Sequence, residues 1–462
     1  MKIEHEKTIC ALATGGGMSA IAVIRVSGKD AFVLCDKVFI GKKGKKLAEQ
    51  KGYTIHFGEI HLNDNVIDEV LVSVFRGPHS YTGEDTLEIS CHGSTFIQQE
   101  ILSALYSTGI QAAKPGEYTL RSFLNGKMDL SQAEAVADLI SSENRASHDL
   151  AIKQLRGGFS QEIAALRERL MNFAALIELE LDFSSEDVEF ADRTLLRTLV
   201  NHVIDVVHNL CESYAMGNVL KQGIPVTIAG RPNAGKSTLL NALLNEERAI
   251  VSPIAGTTRD SIEDSIVIDG ISFRFIDTAG LRDSDDEIEN IGIERSYAKI
   301  KEAEIVLYLF DATTANQVQV LEDLSVLREQ NDAGKFIIPV GNKVDQLDDT
   351  AAEIFNKLEG AAWISALKKD GIMELKTQLL QWVNAGLNGP SETIVTNARH
   401  VDALRRAEEN LLDVRKGLDL HIPGDLLAID IRAALSTLSE ITGNVDNEDL
   451  LGHIFGKFCI GK

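Results

Sequence analysis

The chain has 462 residues, 44% of them hydrophobic and 25% charged, a globular composition too long for one ordinary core, so two to four domains are expected. A formal net charge of −23 argues against broad, non-specific nucleic-acid binding by the chain alone. No apolar run approaches the roughly 18–20 residues of a membrane span. Five cysteines, at 10, 35, 91, 211 and 459, are scattered without a C-x-x-C pair, which argues against a disulfide framework or zinc site and fits a reducing, cytoplasmic setting.

The opening MKIEHEKTICALATGGG starts acidic and has no long apolar stretch, which predicts no signal peptide. Short β-rich runs (IAVIRVSG, EVLVSVFRG, TLEISCHG) then alternate with turn residues around one helical pattern, STFIQQEILSALYSTG. They predict a compact α+β domain over 1–120. The one compact basic stretch, Gly41 to Lys46 (GKKGKK), reads as a solvated loop in preference to a phosphate-contacting patch. From about 130, apolar residues recur at three and four, the helix period, and predict a helical segment over 121–215. Strands alternate with helices from about 224 to 385, predicting an α/β domain over 216–385, and helical texture returns over 386–462. The simplest architecture is a helical domain built from two separated stretches with an α/β domain inserted between them. The Glu-rich helix faces serve solubility.

The inserted domain carries the chemistry. IPVTIAGRPNAGKSTLLNALL runs a strand, Ile224 to Ala229, into G-x-x-x-x-G-K-S and then a helix. That unit aims backbone N–H groups and the positive end of a helix at one point, which suits phosphate. Asn233, Ala234, Gly235, Lys236, Ser237 and Thr238 line it; Lys236 is placed for the β and γ phosphates and the Ser237 hydroxyl for Mg²⁺. The loop Ser252-Pro253-Ile254-Ala255-Gly256-Thr257-Thr258 follows, with Thr258 placed to complete the Mg²⁺ shell. ISFRFIDTAG then runs a strand into Asp277-Thr278-Ala279-Gly280, with Asp277 in the outer metal shell and the Gly280 N–H on the γ-phosphate. Two further strands end on Asn342-Lys343-Val344-Asp345 and on Ser365-Ala366-Leu367. Asp345 can accept from both the ring N–H and the exocyclic amine of guanine, whereas adenine sets an acceptor against it. The substrate is therefore GTP.

Leu281 stands where Ras-like enzymes carry a water-orienting Gln. No arginine stands out as a finger: Arg231, Arg259 and Arg282 read as structural or switch-stabilising. Asn233, with backbone carbonyls from Ser252 to Thr257, could instead cage a monovalent cation that neutralises developing charge.

The last residues, FGKFCIGK, place Cys459 fourth from the end. A C-a-a-X lipid anchor is unsuited, because Lys462 is the wrong terminal residue and Gly461 a poor aliphatic. An incidental thiol and a chemical group used by the rest of the chain remain as readings. Lys457 and Lys462 flank the thiol, which predicts a partly ionised group on a flexible tail.

Together GRPNAGKS, IAGTTRD, DTAGLR followed by IGIERS, AKPGEYTLRSFLNGKMDLSQAEAVADLI, LSEITGNV and the closing FCIGK resemble the tRNA modification GTPase family MnmE (TrmE) over essentially the whole length. The resemblance implies a multidomain α/β and α fold: an N-terminal folate-binding-like α+β domain, a discontinuous helical domain with the tail, and an inserted Ras-like GTPase domain with a mostly parallel sheet. It implies a homodimer joined through the N-terminal domain and a complex with the flavoprotein MnmG (GidA). The activity implied is installation of an aminomethyl or carboxymethylaminomethyl group at carbon 5 of the wobble uridine of certain tRNAs. The one-carbon donor implied is a tetrahydrofolate derivative, 5-formyl or 5,10-methylene. By the same resemblance GTP hydrolysis is potassium-activated. Asn233, Ser252, Ile254 and Thr257 match the potassium shell, and Glu289 the glutamate that positions water. Arg25, Glu88 and Lys127, joined by Lys462, match the folate-contacting positions. The sequence departs from the family at ATGGGMSAIAVIRVSG, which lacks the usual Pro-Gly-Arg-Gly texture, so the carry-over stops short of Gly15 to Ser19. The rival class, an Era-like RNA-binding or ribosome-assembly GTPase, predicts a basic module after the GTPase domain, and the sequence there is acidic helix.

Overall fold

The computed structural model describes residues 7–182, 192–246, 264–276, 300–329, 335–347, 358–387, 393–443, 448–456 and 458–461. The chain divides into two compact units, Met1–Ile140 with Gln154–Asn172 and Leu435–Lys462, and Ser141–Lys153 with Phe173–Ala434.

The first unit is built on strands β1 (Ile9–Leu12), β2 (Ile21–Ser27), β3 (Phe39–Gly41), β4 (Thr54–Leu62), β5 (Asn65–Phe75), β6 (Thr86–His92) and β7 (Gln111–Ala112). They form a seven-stranded sheet in the order β3-β4-β5-β6-β2-β1-β7. Every pairing is antiparallel except that of β1 with β7. Alternation sets its two faces. Leu87, Ile89 and Cys91 of β6 and Val70, Val72 and Val74 of β5 are buried. With Ile101, Ala104 and Leu105 of helix α2 (Thr95–Ser107), and with the short helix α1 (Ala31–Cys35), they make one core. On the opposite face Arg25 stands directly across from Glu88. Helix α3 (Glu117–Leu124) covers the β1 end of that face through Tyr118, which clusters with Ile9, Ala11, Ala113 and Tyr81. Below it, Leu130, Ala133 and Val136 of α4 (Leu130–Ser141) pack with Leu120 and with Leu451, Ile454, Phe455 and Phe458 from the chain's last residues.

Helices α5 (Arg145–Leu155) and α6 (Gly158–Asp182) follow, and then α7 (Arg193–Gln222), whose first turn is capped by the Asp192 carboxylate accepting from the N–H groups of Thr194 and Leu195. Its buried stripe, Leu196, Val200, Val203, Val207 and Leu210, keeps the helix period. Gly223 turns the chain from α7 straight into β8 (Ile224–Gly230).

The second unit's sheet adds β9 (Asp264–Ile268), β10 (Ile271–Phe275), β11 (Ile305–Asp311), β12 (Phe336–Asn342) and β13 (Ala362–Trp363), in the order β13-β12-β11-β8-β10-β9. Only β9 runs antiparallel. Period two feeds both faces: Ile305, Leu307 and Leu309 join a core with α8 (Lys236–Glu246) and α10 (Ile372–Leu387). Val306, Tyr308 and Phe310 join another with α9 (Gln317–Glu329). Helices α11 (Ala398–Asp419), packed along α7, and α12 (Gly424–Thr442) return the chain to helix, and α13 (Glu448–Phe455) ends it. The sheet is mostly parallel and covered on both faces, as a doubly wound α/β layer requires.

Candidate functional site

β8 has β10 on one side and β11 on the other. The loop leaving its carboxyl end therefore sits at the topological switch point, where open α/β sheets bind ligands. Asn233 takes a φ of 60° and Gly235 a φ of 95°, conformations that Asn and Gly tolerate best. A Cβ at Gly235 would stand 2.4 Å from Asn342 Nδ2, so no side chain fits between the loop and the end of β12. α8 begins at Lys236, and Leu239 is bonded back to the Gly235 carbonyl. The N–H groups before it have no helical carbonyl to meet and form the helix's anion-binding end. The Lys236 ammonium lies on the Gly230 and Arg231 carbonyls at 2.9 and 3.2 Å, at the rim of the loop. These residues fit a phosphate chain.

Asn342, 3% exposed, joins this loop to the base end. Its Nδ2 donates to the Ala234 carbonyl at 2.8 Å and its Oδ1 accepts from the Ala366 N–H at 3.0 Å. Lys343 takes a φ of 67°, and its Nζ meets Asp311 at 2.7 Å. Burial opposes ionisation of Asp311, but bonds from Lys343 and Thr313 outweigh it and hold the carboxyl below its usual range. Asp345 accepts from the Ser365 hydroxyl at 2.7 Å and faces Lys368 at 3.5 Å. The Ser365 bond first, and Lys368 after it, keep its pKa down. Leu367, beside this pair in the chain, is exposed. Arg231 is engaged by Asp323, which accepts from both its Nε and Nη2, at 2.9 and 3.1 Å. Asp311 and Asp323 carry no sequence motif, and only the sheet order reveals their roles.

Thr238 lies in α8 beside Ser237. The expectations for Ser252, Pro253, Ile254, Ala255, Gly256, Thr257 and Thr258, for Asp277, Thr278, Ala279 and Gly280, and for Glu289 and Lys462 fall outside the described residues.

In the first unit, Arg25 Nε and Nη2 donate to one Glu88 oxygen at 3.0 and 2.8 Å. The guanidinium carbon lies 5.3 Å from the Tyr81 ring centroid and 5.6 Å from that of Tyr118, a double cation–π clamp. The Tyr118 hydroxyl donates to the Arg25 carbonyl at 2.7 Å. Both tyrosines were within reach of the sequence, in SYTGED and KPGEYT, but no local pattern distinguishes a ring that clamps an arginine from an ordinary core ring. Lys127 is not part of the pair; its Nζ donates to the Pro78 carbonyl, on the segment that carries Tyr81. The tail is docked where flexibility was expected. Phe458 is buried, Gly116 N–H donates to the Cys459 carbonyl at 3.4 Å, and the Gly461 carbonyl lies 3.5 Å from Arg25 Nη1. Aromatic burial of Phe455 and Phe458 holds it there. Burial pushes the Cys10 thiol to about 12, those of Cys91 and Cys211 to about 11, and that of Cys35 higher still. Cys459 alone of the five is exposed.

A phosphate loop at the switch point, tied through the buried Asn342 amide to the Ser365–Ala366 segment that bonds Asp345, has the make-up of a P-loop guanine-nucleotide protein. A family model described as the MnmE helical domain matches residues 130–459, and one described as the GTP-binding protein TrmE N-terminus matches 8–127. The tRNA modification GTPase MnmE of Flavobacterium psychrophilum is 54% identical over 461 residues, 99% of this chain and 100% of its own. That of Flavobacterium johnsoniae is 54% identical over 464 residues with the same coverage, and that of Bacteroides fragilis 51% identical over 468. The chain belongs to the MnmE (TrmE) family and is a GTP hydrolase. No described helix is long and apolar enough to cross a membrane.

Proposed function

We propose that this GTP hydrolase, as a homodimer working with an MnmG-like flavoprotein, adds an aminomethyl or carboxymethylaminomethyl group to carbon 5 of the wobble uridine of certain tRNAs. The observation that carries the reading is likeness over the full length to relatives named as tRNA modification GTPases, with a second polar site in the N-terminal unit that ordinary GTPase domains lack. The Lys236 ammonium and the N–H groups at the start of α8 hold the phosphates, Asp345 reads the base, and Asn342 keeps the two in register. Ser237 and Thr258 would hold Mg²⁺, with Asp277 contributing to its outer shell. Potassium, when bound, would supply positive charge against the charge that develops on the phosphates. Asn233, with Ser252, Ile254 and Thr257, would be its binding set, and Glu289 would orient the attacking water.

In the N-terminal unit the Arg25–Glu88 pair offers donors and acceptors side by side between two tyrosine rings. That surface suits the flat, hydrogen-bonding pterin of a tetrahydrofolate, with Lys127 and Lys462 available to its carboxylates. The docked tail keeps Cys459 in the same unit as this pair. The test is mass spectrometry of tRNA nucleosides from cells carrying only the Cys459→Ser protein, beside a GTPase assay of the purified variant. Loss of wobble-uridine modification with normal GTP turnover supports a role for the thiol in the modification; full modification makes it incidental. Normal modification in cells lacking the protein altogether overturns the function.

A further inference from the structure

β3 is an edge of the seven-stranded sheet, and the chain leaves it through Lys42, Lys43, Lys45 and Lys46, all exposed. None of the four makes an ion pair among the described residues. The turn is nonetheless shaped. A Cβ at Gly41 would stand 2.3 Å from the Lys45 carbonyl oxygen, so the two ends of the turn touch. Lys43 and Gly44 take φ of 64° and 69°. The exit is pinned by the Asp36 carboxylate, which accepts from the N–H groups of Leu47 and Ala48 at 2.6 and 3.1 Å. Lys42 Nζ lies 5.3 Å from the centroid of the Phe57 ring, itself 41% exposed. Burial, and then the Lys45 charge, push the His56 pKa down.

A chain of net charge −23 thus presents, on one closed turn, four ammonium groups without an ion-pair partner among the described residues. Lysines at an edge strand also discourage edge-to-edge pairing, yet that role needs neither so many charges nor a fixed turn. The cations here are all lysine, point charges without the bidentate geometry of arginine. Such a set suits a polymer of repeated single charges better than one carboxylate or phosphate held in a pocket.

We propose that the Lys42–Lys46 turn is a contact for the phosphate backbone of RNA; resting on the function proposed above, that RNA is the tRNA being modified. The test titrates full-length protein into a labelled, unmodified tRNA transcript carrying a wobble uridine, over a range of KCl concentrations. The protein is compared with the variant K42Q/K43Q/K45Q/K46Q and with the same four positions changed to arginine. Removing one lysine–phosphate pairing lowers the magnitude of the slope of log K against log salt by about 0.7–0.9. With all four lysines paired, the glutamine variant is therefore expected to show a slope shallower by about 3–4 and weaker binding at low salt. The arginine variant keeps the wild-type slope, and GTP turnover is unchanged in both. Wild-type affinity and slope in the glutamine variant overturn the proposal while leaving the tRNA function standing. Absence of tRNA binding by the wild-type protein overturns the proposal, while the tRNA function stands or falls by the nucleoside analysis given above. Loss of binding to phosphatidylglycerol vesicles with tRNA binding intact reassigns the turn to a lipid surface and also overturns the proposal.

Discussion

Replacing Asn342 with alanine tests whether one buried amide holds the phosphate and base ends of the nucleotide site together. The side chain is 3% exposed and makes two bonds, to the Ala234 carbonyl at 2.8 Å and from the Ala366 N–H at 3.0 Å. Alanine leaves both backbone groups unpaired, and a buried unpaired polar group costs about 1–3 kcal/mol, so the sum is about 2–6 kcal/mol. Part of this falls on the folded protein and part on the nucleotide, which must then order the two loops itself. If half reaches the nucleotide, affinity drops by about 1–3 kcal/mol, or about five- to 150-fold. Titration of a fluorescent GDP analogue, with dissociation followed by stopped flow, reads this directly, and the change should lie mostly in the off-rate. Asn342→Asp sharpens the test. It keeps an acceptor for Ala366 but sets a carboxylate oxygen against the Ala234 carbonyl, so it should bind at least as poorly as the alanine variant. A dissociation constant within a factor of two of wild type in both variants would refute the clamp.

Three further outcomes are expected. Asp345→Asn should weaken GTP binding strongly, because an amide N–H₂ opposes the guanine donors, and should admit xanthosine triphosphate; unchanged GTP affinity shows that the aspartate does not read the base. The Ser365 bond, and Lys368 after it, hold the Asp345 pKa below its ordinary value, so its ionised form is complete above the usual carboxylate pKa of about 3.9 and is lost only as pH falls through the lowered folded value. GTP affinity limited by this residue should accordingly be flat between about pH 8 and 5, and a loss of affinity that tracks protonation of Asp345 within that window contradicts the geometry. GTP turnover should be faster in potassium than in sodium, with Asn233→Ala erasing the difference and Glu289→Ala slowing both by about 10²–10⁴-fold; equal wild-type rates in the two salts exclude the cation mechanism.

Much of this was legible residue by residue, because the signals are local. A strand followed by G-x-x-x-x-G-K-S and a helix needs only neighbours to become a phosphate loop, and period two in IVLYLF and period 3.6 in α7 each name their element and its buried face. The base-reading chemistry of Asn-Lys-Val-Asp also follows from side-chain types alone. The Arg25–Glu88 pair is a different case: only family resemblance singles it out, since two charges 63 positions apart look solvated in any local window. The β2–β6 register places them opposite each other, and two tyrosines from separate segments close over the guanidinium. Asn342 reaches across 108 positions to the loop because parallel β12, β11 and β8 bring their carboxyl ends to one edge of the sheet. The expected flexible tail is pinned because Phe455 and Phe458 find a core that α3 and α4 provide. The lysine turn reads as solvated loop in the sequence and is exposed in the structure, but composition reports charge and not partners. Periodicity and motif are properties of a few consecutive residues, whereas pairing, burial and the neutralisation of charge depend on which distant segments the fold brings within a few ångströms.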